Sequence, residues 1–175
     1  MAGRGIKWEQ VCNNSRDFLA QEGKLSWLRM HPPVLKCGPG LSTKRGSFLA
    51  VRTGKGPPDW IAQVDGLSVL GDDKDSRSGP WGTWNLKKHQ ADAFEAHERQ
   101  GGLSVVLLRM PDRTRWCIPW KMLKPYWENR ARLNREKLDE MGALPWIAHK
   151  PDQPRYDWLE PLLIWREECL GSMES

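Results

Sequence analysis

The sequence has no apolar run long enough to cross a bilayer, which takes about 18 residues or more. The longest strongly apolar stretch, Leu103 to Leu108, spans six positions and includes Ser104. The opening segment, MAGRGIKWEQ, has no apolar h-region, so no secretory signal is expected. Both absences point to a soluble protein of the cytoplasm. Cysteine is scarce and scattered, at positions 12, 37, 117 and 169, with no CxxC. The histidines, His31, His89, His97 and His149, do not supply zinc-ligand spacing either. Buried free thiols are the expectation. GxSxG and GxxxxGK[ST] are both missing, which leaves no nucleophile elbow and no phosphate-cradling loop. No internal repeat or low-complexity segment is present.

What is present describes one folded domain. The chain has 175 residues, 39% of them hydrophobic, and 11 tryptophans, a composition that excludes wholesale disorder. Charge is segregated. From Gly23 to Pro58 there is no acidic residue, while Lys24, Arg29, Lys36, Lys44, Arg45, Arg52 and Lys55 are basic. Between Asp59 and Asp75 the sign reverses, with Asp59, Asp65, Asp72, Asp73 and Asp75 against Lys74 alone. A third block, Arg109 to Lys137, is basic again. Such blocks repel themselves unless a partner uses them. A basic arm suits a polyanion, and an adjoining acidic nest suits a divalent cation working on phosphate. The plain alternative is a solvated loop beside an acidic turn.

Apolar spacing predicts a helix over 5–22, with Trp8, Val11, Cys12, Ser15, Phe18 and Leu19 in one stripe and Glu9 on its flank. Leu25 to Met30 reads as a strand, 31–47 as loop, and Ser47 to Arg52 as a second strand or part of a projecting hairpin. Trp60 to Val64 and Leu67 to Leu70 are apolar runs joined by Asp65-Gly66, a two-residue hairpin signal. An antiparallel hairpin there places Asp59, at the start of one strand, beside Asp72, just past the end of the other. Leu86 to Arg99 reads as a helix whose inward Gln90 needs a partner. Leu103 to Arg109 reads as a central strand, Arg115 to Pro119 as another, and 126–141 and 161–170 as helices.

Pro58-Asp59, 12 intervening residues, then Asp72-Asp73-Lys74 has the form PD-(D/E)xK. Two carboxylates converging on Mg²⁺ activate a water and polarise phosphate, and a lysine two residues along a strand leaves the same face to stabilise developing charge. Surface hairpins rich in Asp and Lys produce the same string, so a solvated turn stands beside the catalytic reading.

With Gly3-Arg4-Gly5, Glu9, His89-Gln90, Gly101-Gly102-Leu103-Ser104 and Arg115-Trp116-Cys117-Ile118-Pro119-Trp120 in order, residues 3–127 resemble the RecU-type Holliday junction resolvases of Gram-positive bacteria and some of their phages. The resemblance implies an α/β, restriction-endonuclease-like core: a central mixed β-sheet flanked by helices, with a projecting basic stalk over about 31–56. It implies a symmetric homodimer that uses Mg²⁺ or Mn²⁺ to place paired nicks in branched, four-way DNA. Asp59 and Asp72 would be metal ligands, Gln90 a further one, Lys74 the transition-state stabiliser and Glu9 an auxiliary acid. Arg4, Lys36, Lys44, Arg45, Arg52 and Lys55 would bind DNA. The family usually has Glu at the position of Asp72 and often Thr at that of Pro57. Residues 128–175 fall outside the resemblance and are expected to form a helical appendage to a 1–127 nuclease core. Two other readings stay open: a PD-(D/E)xK nuclease of restriction or repair type, and a non-catalytic nucleic-acid-binding module.

Overall fold

A computed structural model of the chain describes residues 8–31, 34–39, 48–52, 56–148 and 156–171, and only the backbone at 34–39, 48–52, 148, 156 and 171. In chain order the helices are α1 (Trp8–Gln21), α2 (Lys88–Glu98), α3 (Trp120–Glu128), α4 (Arg135–Glu140) and α5 (Leu159–Gly171). The strands are β1 (Ser26–Arg29), β2 (Val34–Pro39), β3 (Phe48–Arg52), β4 (Trp60–Val64), β5 (Leu67–Asp75), β6 (Trp81–Gly82), β7 (Leu103–Arg109), β8 (Arg115–Pro119), β9 (Arg132–Leu133), β10 (Leu144–Pro145), β11 (Ile147–Ala148) and β12 (Tyr156–Asp157).

A six-stranded sheet in the order β1-β4-β5-β7-β8-β10 is the frame. All its pairs are antiparallel except β5 with β7, which are parallel and joined through α2. A parallel pair needs such a crossover. The α/β class, with a mixed central sheet flanked by helices, is therefore as expected. β7 explains the continuous apolar run in the sequence, because both its faces are covered. Val105 and Leu107 pack with Trp8, Cys12, Leu19, Trp158 and Leu162. Val106 and Leu108 pack with Phe94, Ile118, Trp120 and Leu123 on the other side.

The Asp65-Gly66 turn forms as anticipated, with φ of 45° and 80°, the left-handed pair that a tight hairpin requires. β5 runs further than its apolar half predicts. Leu67–Leu70 is the expected strand, and the ladder continues to Asp75 because β7 supplies partners for every residue from Val69 onward. Asp72 therefore sits inside a strand. Gly71 is where β5 admits the Trp60 indole: a Cβ there would lie 1.9 Å from Trp60 Cζ2. Among the described residues β2 and β3 pair with each other, in a two-stranded antiparallel hairpin with an irregularity between Lys36 and Gly38. Part of the segment expected as loop is thus strand.

The helix expected over 126–141 is corrected. α3 begins at Trp120 and ends at Glu128, Arg130 turns with φ of 49°, and a second short helix starts after Asn134, whose side chain accepts from the Lys137 N–H at 3.0 Å. The break lets Leu133 and Leu138 both bury completely. Residues of the 128–175 segment pack against the same sheet. β10 extends the main sheet beside β8, Trp146 stacks on Trp8 at 5.2 Å, and Trp158 lies 5.1 Å from Trp60. Buried Asp157 caps α5, accepting from the N–H groups of Leu159 at 2.7 Å and Glu160 at 3.1 Å. Trp146, Trp158, Leu159 and Leu162 belong to the core on the α1 side of the sheet. Cys12 and Cys117 are buried free thiols, as expected. Among the described residues no helix is long and apolar enough to cross a membrane.

Candidate active site

The hairpin register ends at Trp60 paired with Gly71, and Asp59, the residue just before β4, reaches the Asp73 peptide with its carboxylate. Period-two alternation along β5 then sorts the acidic run by face. Asp72 and Lys74 leave toward the α2 side, while Asp73 and Asp75 leave toward α1. Asp72 is 0% exposed, and its carboxylate has two partners: Gln90 Nε2 donates to Oδ2, and the Lys74 ammonium pairs with Oδ1. Burial pushes the Asp72 carboxyl up to about 7; Lys74 opposes that rise, and the neighbouring charges of Asp59 and Asp73 add to it. A buried acid with a specific lysine partner and a second acid close by is the electrostatic mark of a functional site.

Gln90 answers the question its inward position raised. On the first turn of α2, its Oε1 accepts from the Lys87 N–H at 3.0 Å while Nε2 holds Asp72. The amide thus ties the start of α2 to the buried carboxylate. As a direct metal ligand it would have to turn its oxygen away from Lys87.

Asp59 is exposed, and its Oδ2 accepts from the backbone N–H of Asp73 at 2.9 Å. It lines a cleft of about 280 Å³ with Trp8, Glu9, Asp73, Asp75 and Arg77. Glu9 faces this cleft from α1 and is ion-paired with Arg29 of β1. The remaining acids have other partners. Arg16 grips Asp73 from both terminal nitrogens, at 3.0 and 2.8 Å, and Arg109 grips Asp75 at 2.9 and 2.7 Å. Of the acids that look like one nest in the sequence, Asp65 sits in the turn, Asp73 and Asp75 are neutralised by arginines, Asp72 pairs with Lys74, and Asp59 lines the cleft on the α1 side.

Among the described residues no group of three or more His, Cys, Asp or Glu side chains is set to hold a metal. Two carboxylates are nevertheless a fitting donor set for Mg²⁺, which keeps waters and substrate oxygens in its shell rather than an all-protein cage. Arg4, Lys44, Arg45 and Lys55 lie outside the described residues. Lys36 and Arg52 lie on β2 and β3, opposite Ala50 and Val34, where the backbone alone is described. Trp60, Trp81, Trp116 and Trp120 are core, and Trp84 is 37% exposed beside Arg132.

Arg16 is a residue that sequence reasoning misses. Its signal is an arginine four residues after Cys12 and eight after Trp8, within the buried stripe of α1, where a charge requires a buried partner.

No family model matches the chain, and no curated protein matches it. Among solved structures it is similar to Hjc of Archaeoglobus fulgidus, described as a Holliday junction resolvase from an archaeal hyperthermophile. The TM-score is 0.39 at 16% identity, over 63% of this chain and 78% of that one. A likeness at that level places the chain in no family.

Proposed function

We propose that this chain is a metal-dependent DNA endonuclease that acts on four-way junctions as a homodimer, a RecU-type resolvase in its chemistry. The observation that supports this most is Asp72, wholly buried in β5, with Lys74 on the same face and the charge of Asp59 near enough to raise its carboxyl.

In this reading Asp59 and Asp72 hold the cation. Mg²⁺ or Mn²⁺, when bound, supplies a water of lowered pKa and neutralises charge on the scissile phosphate. Lys74 starts as the counter-ion of Asp72. Lying on the same face as Asp72, its ammonium would be placed to reach the phosphate, orient the attacking water and stabilise the charge that builds in the transition state. Gln90 keeps the Asp72 carboxylate in one orientation throughout, because its own amide is braced on Lys87. The hairpin of β2 and β3, which among the described residues pairs with no strand of the main sheet, supports the assignment of a stalk. The basic residues from Lys36 to Lys55 make that stalk a holder of phosphate.

A four-way junction offers two equivalent scissile phosphates about a twofold axis, and the chain carries one Asp59–Asp72–Lys74 set, so paired nicks require two chains. Light scattering of the full chain, together with cleavage of a junction and of linear duplex of the same sequence, tests the reading. A dimer that cuts the junction well ahead of the duplex is expected. A monomer, or equal cutting of both, would move the assignment to a PD-(D/E)xK nuclease with another DNA substrate.

A further inference from the structure

The middle residue of the Asp72-Asp73-Lys74 triplet takes no part in the metal chemistry above, yet it is the most tightly held of the three. Its side chain leaves β5 on the face opposite Asp72 and meets Arg16 of α1. Arg16 Nη1 donates to Asp73 Oδ1 at 3.0 Å and Nη2 to Oδ2 at 2.8 Å, and Trp60 Nε1 donates to the same Oδ1 at 2.9 Å. Arg16 is 1% exposed, and its guanidinium lies 4.8 Å from the ring centroids of both Trp27 and Trp60. A second bond from Nη2, to Asn13 Oδ1 at 2.7 Å, ties the group back to its own helix.

A buried ion pair contributes little net stability, since desolvation offsets most of the attraction, and an apolar pair of similar volume does as well. What this pair adds is a second hold, from the α1 side, on a peptide that the β5–β7 ladder also places. The N–H of Asp73 is the hydrogen-bond donor that the described residues offer to the Asp59 carboxylate, at 2.9 Å. Asp59 is otherwise exposed, with freedom to rotate away from Asp72.

We propose that Arg16 is a positioning residue for Asp59: by clamping the Asp73 side chain from the α1 side, it holds the Asp73 N–H in the place that orients the Asp59 carboxylate. The inference rests on the metal-site reading above and adds a residue to it from the far side of the sheet. The bidentate fork between two indoles is geometry that lysine cannot reproduce. Groups that orient a metal ligand are worth about 10- to 100-fold in metal affinity when removed.

The test is the affinity of the full chain, without DNA, for Mn²⁺ and Mg²⁺ by titration calorimetry, in wild type, Arg16→Lys, Asp59→Asn and the double variant. Near-UV circular dichroism confirms the fold of each. Arg16→Lys should bind metal about tenfold more weakly than wild type. In the Asp59→Asn background the same change should have an effect of less than about twofold, the coupling expected when one residue acts through the other. Should Arg16→Lys not fold, the neutral, near-isosteric pair Arg16→Gln with Asp73→Asn is read by the same criteria. Wild-type affinity in the Arg16 variant, or an undiminished loss in the Asp59→Asn background, would overturn the inference and leave the metal site standing. A wild-type chain that binds neither metal would overturn the metal site and the inference together.

Discussion

Replacing Asp72 with asparagine should stabilise the metal-free protein, and should do so more strongly as pH rises. Burial favours the neutral acid, so the folded-state pKa of about 7 lies above the ordinary value of 3.8. Below about pH 4 both folded and unfolded chains carry the proton, and the group costs nothing. As pH climbs toward 7 the unfolded chain gives up its proton while the folded one retains it. Stability falls across that window and stays low above it. At about 1.36 kcal/mol per unit, the full cost approaches ~4 kcal/mol. Asparagine abolishes the titration and retains the shape, and an oxygen for Gln90 Nε2 to reach. Lys74, whose side chain is 17% exposed, can turn to water when its counter-ion is gone. Urea unfolding in EDTA should find Asp72→Asn more stable than wild type, with the gap widening by ~2–3 kcal/mol between about pH 5 and about pH 8.5. A gap that does not change with pH, or a variant weaker than wild type at the higher pH, would refute the claim that a strained, ionisable Asp72 lies at the centre of this site.

Two further outcomes follow from other parts of the chain. Removing Lys44 and Arg45 together should weaken junction binding and flatten its salt dependence by about 0.9 in slope for each phosphate left unneutralised; an unchanged slope would reduce the basic run to a solvated loop. Gly71→Ala would drive a Cβ to 1.9 Å from the Trp60 ring, in a core with no room for it, and should lower unfolding free energy by ~1–3 kcal/mol or more, with a urea midpoint within error of wild type counting against the packing described.

The parts of this site that can be read from the sequence are those governed by local geometry. Asp65-Gly66 announces a tight hairpin by itself, and that hairpin brings Asp59 to the outer half of β5, where it meets the Asp73 peptide. Period-two alternation puts Lys74 on the face of Asp72 whatever the rest of the fold does. The nearly continuous apolar run at Leu103 declares a strand covered on both sides. What escapes the sequence depends on partners far along the chain. Asp73 and Asp75 look the same as Asp72 in a string of letters. Only the arrival of Arg16, 57 residues earlier, and Arg109, 34 residues later, removes them from the candidate ligands. Pro125 conceals α3, because a proline inside a helix reads as a break until its neighbours Trp120 and Leu123 are seen buried together. β10 has two residues and no periodicity to detect, so the contribution of the C-terminal segment to the sheet emerges from tertiary pairing alone.

Cleavage of a mobile four-way junction by the full chain, in Mg²⁺ and in EDTA, with Asp59→Asn and Asp72→Asn beside wild type, addresses the central claim most directly. Wild type should place paired nicks in Mg²⁺ and none in EDTA. Each variant should lose cleavage while still binding the junction in a gel shift, because less negative charge then faces the phosphate. Full cleavage by Asp72→Asn would contradict the account, and the acidic hairpin would then be structural.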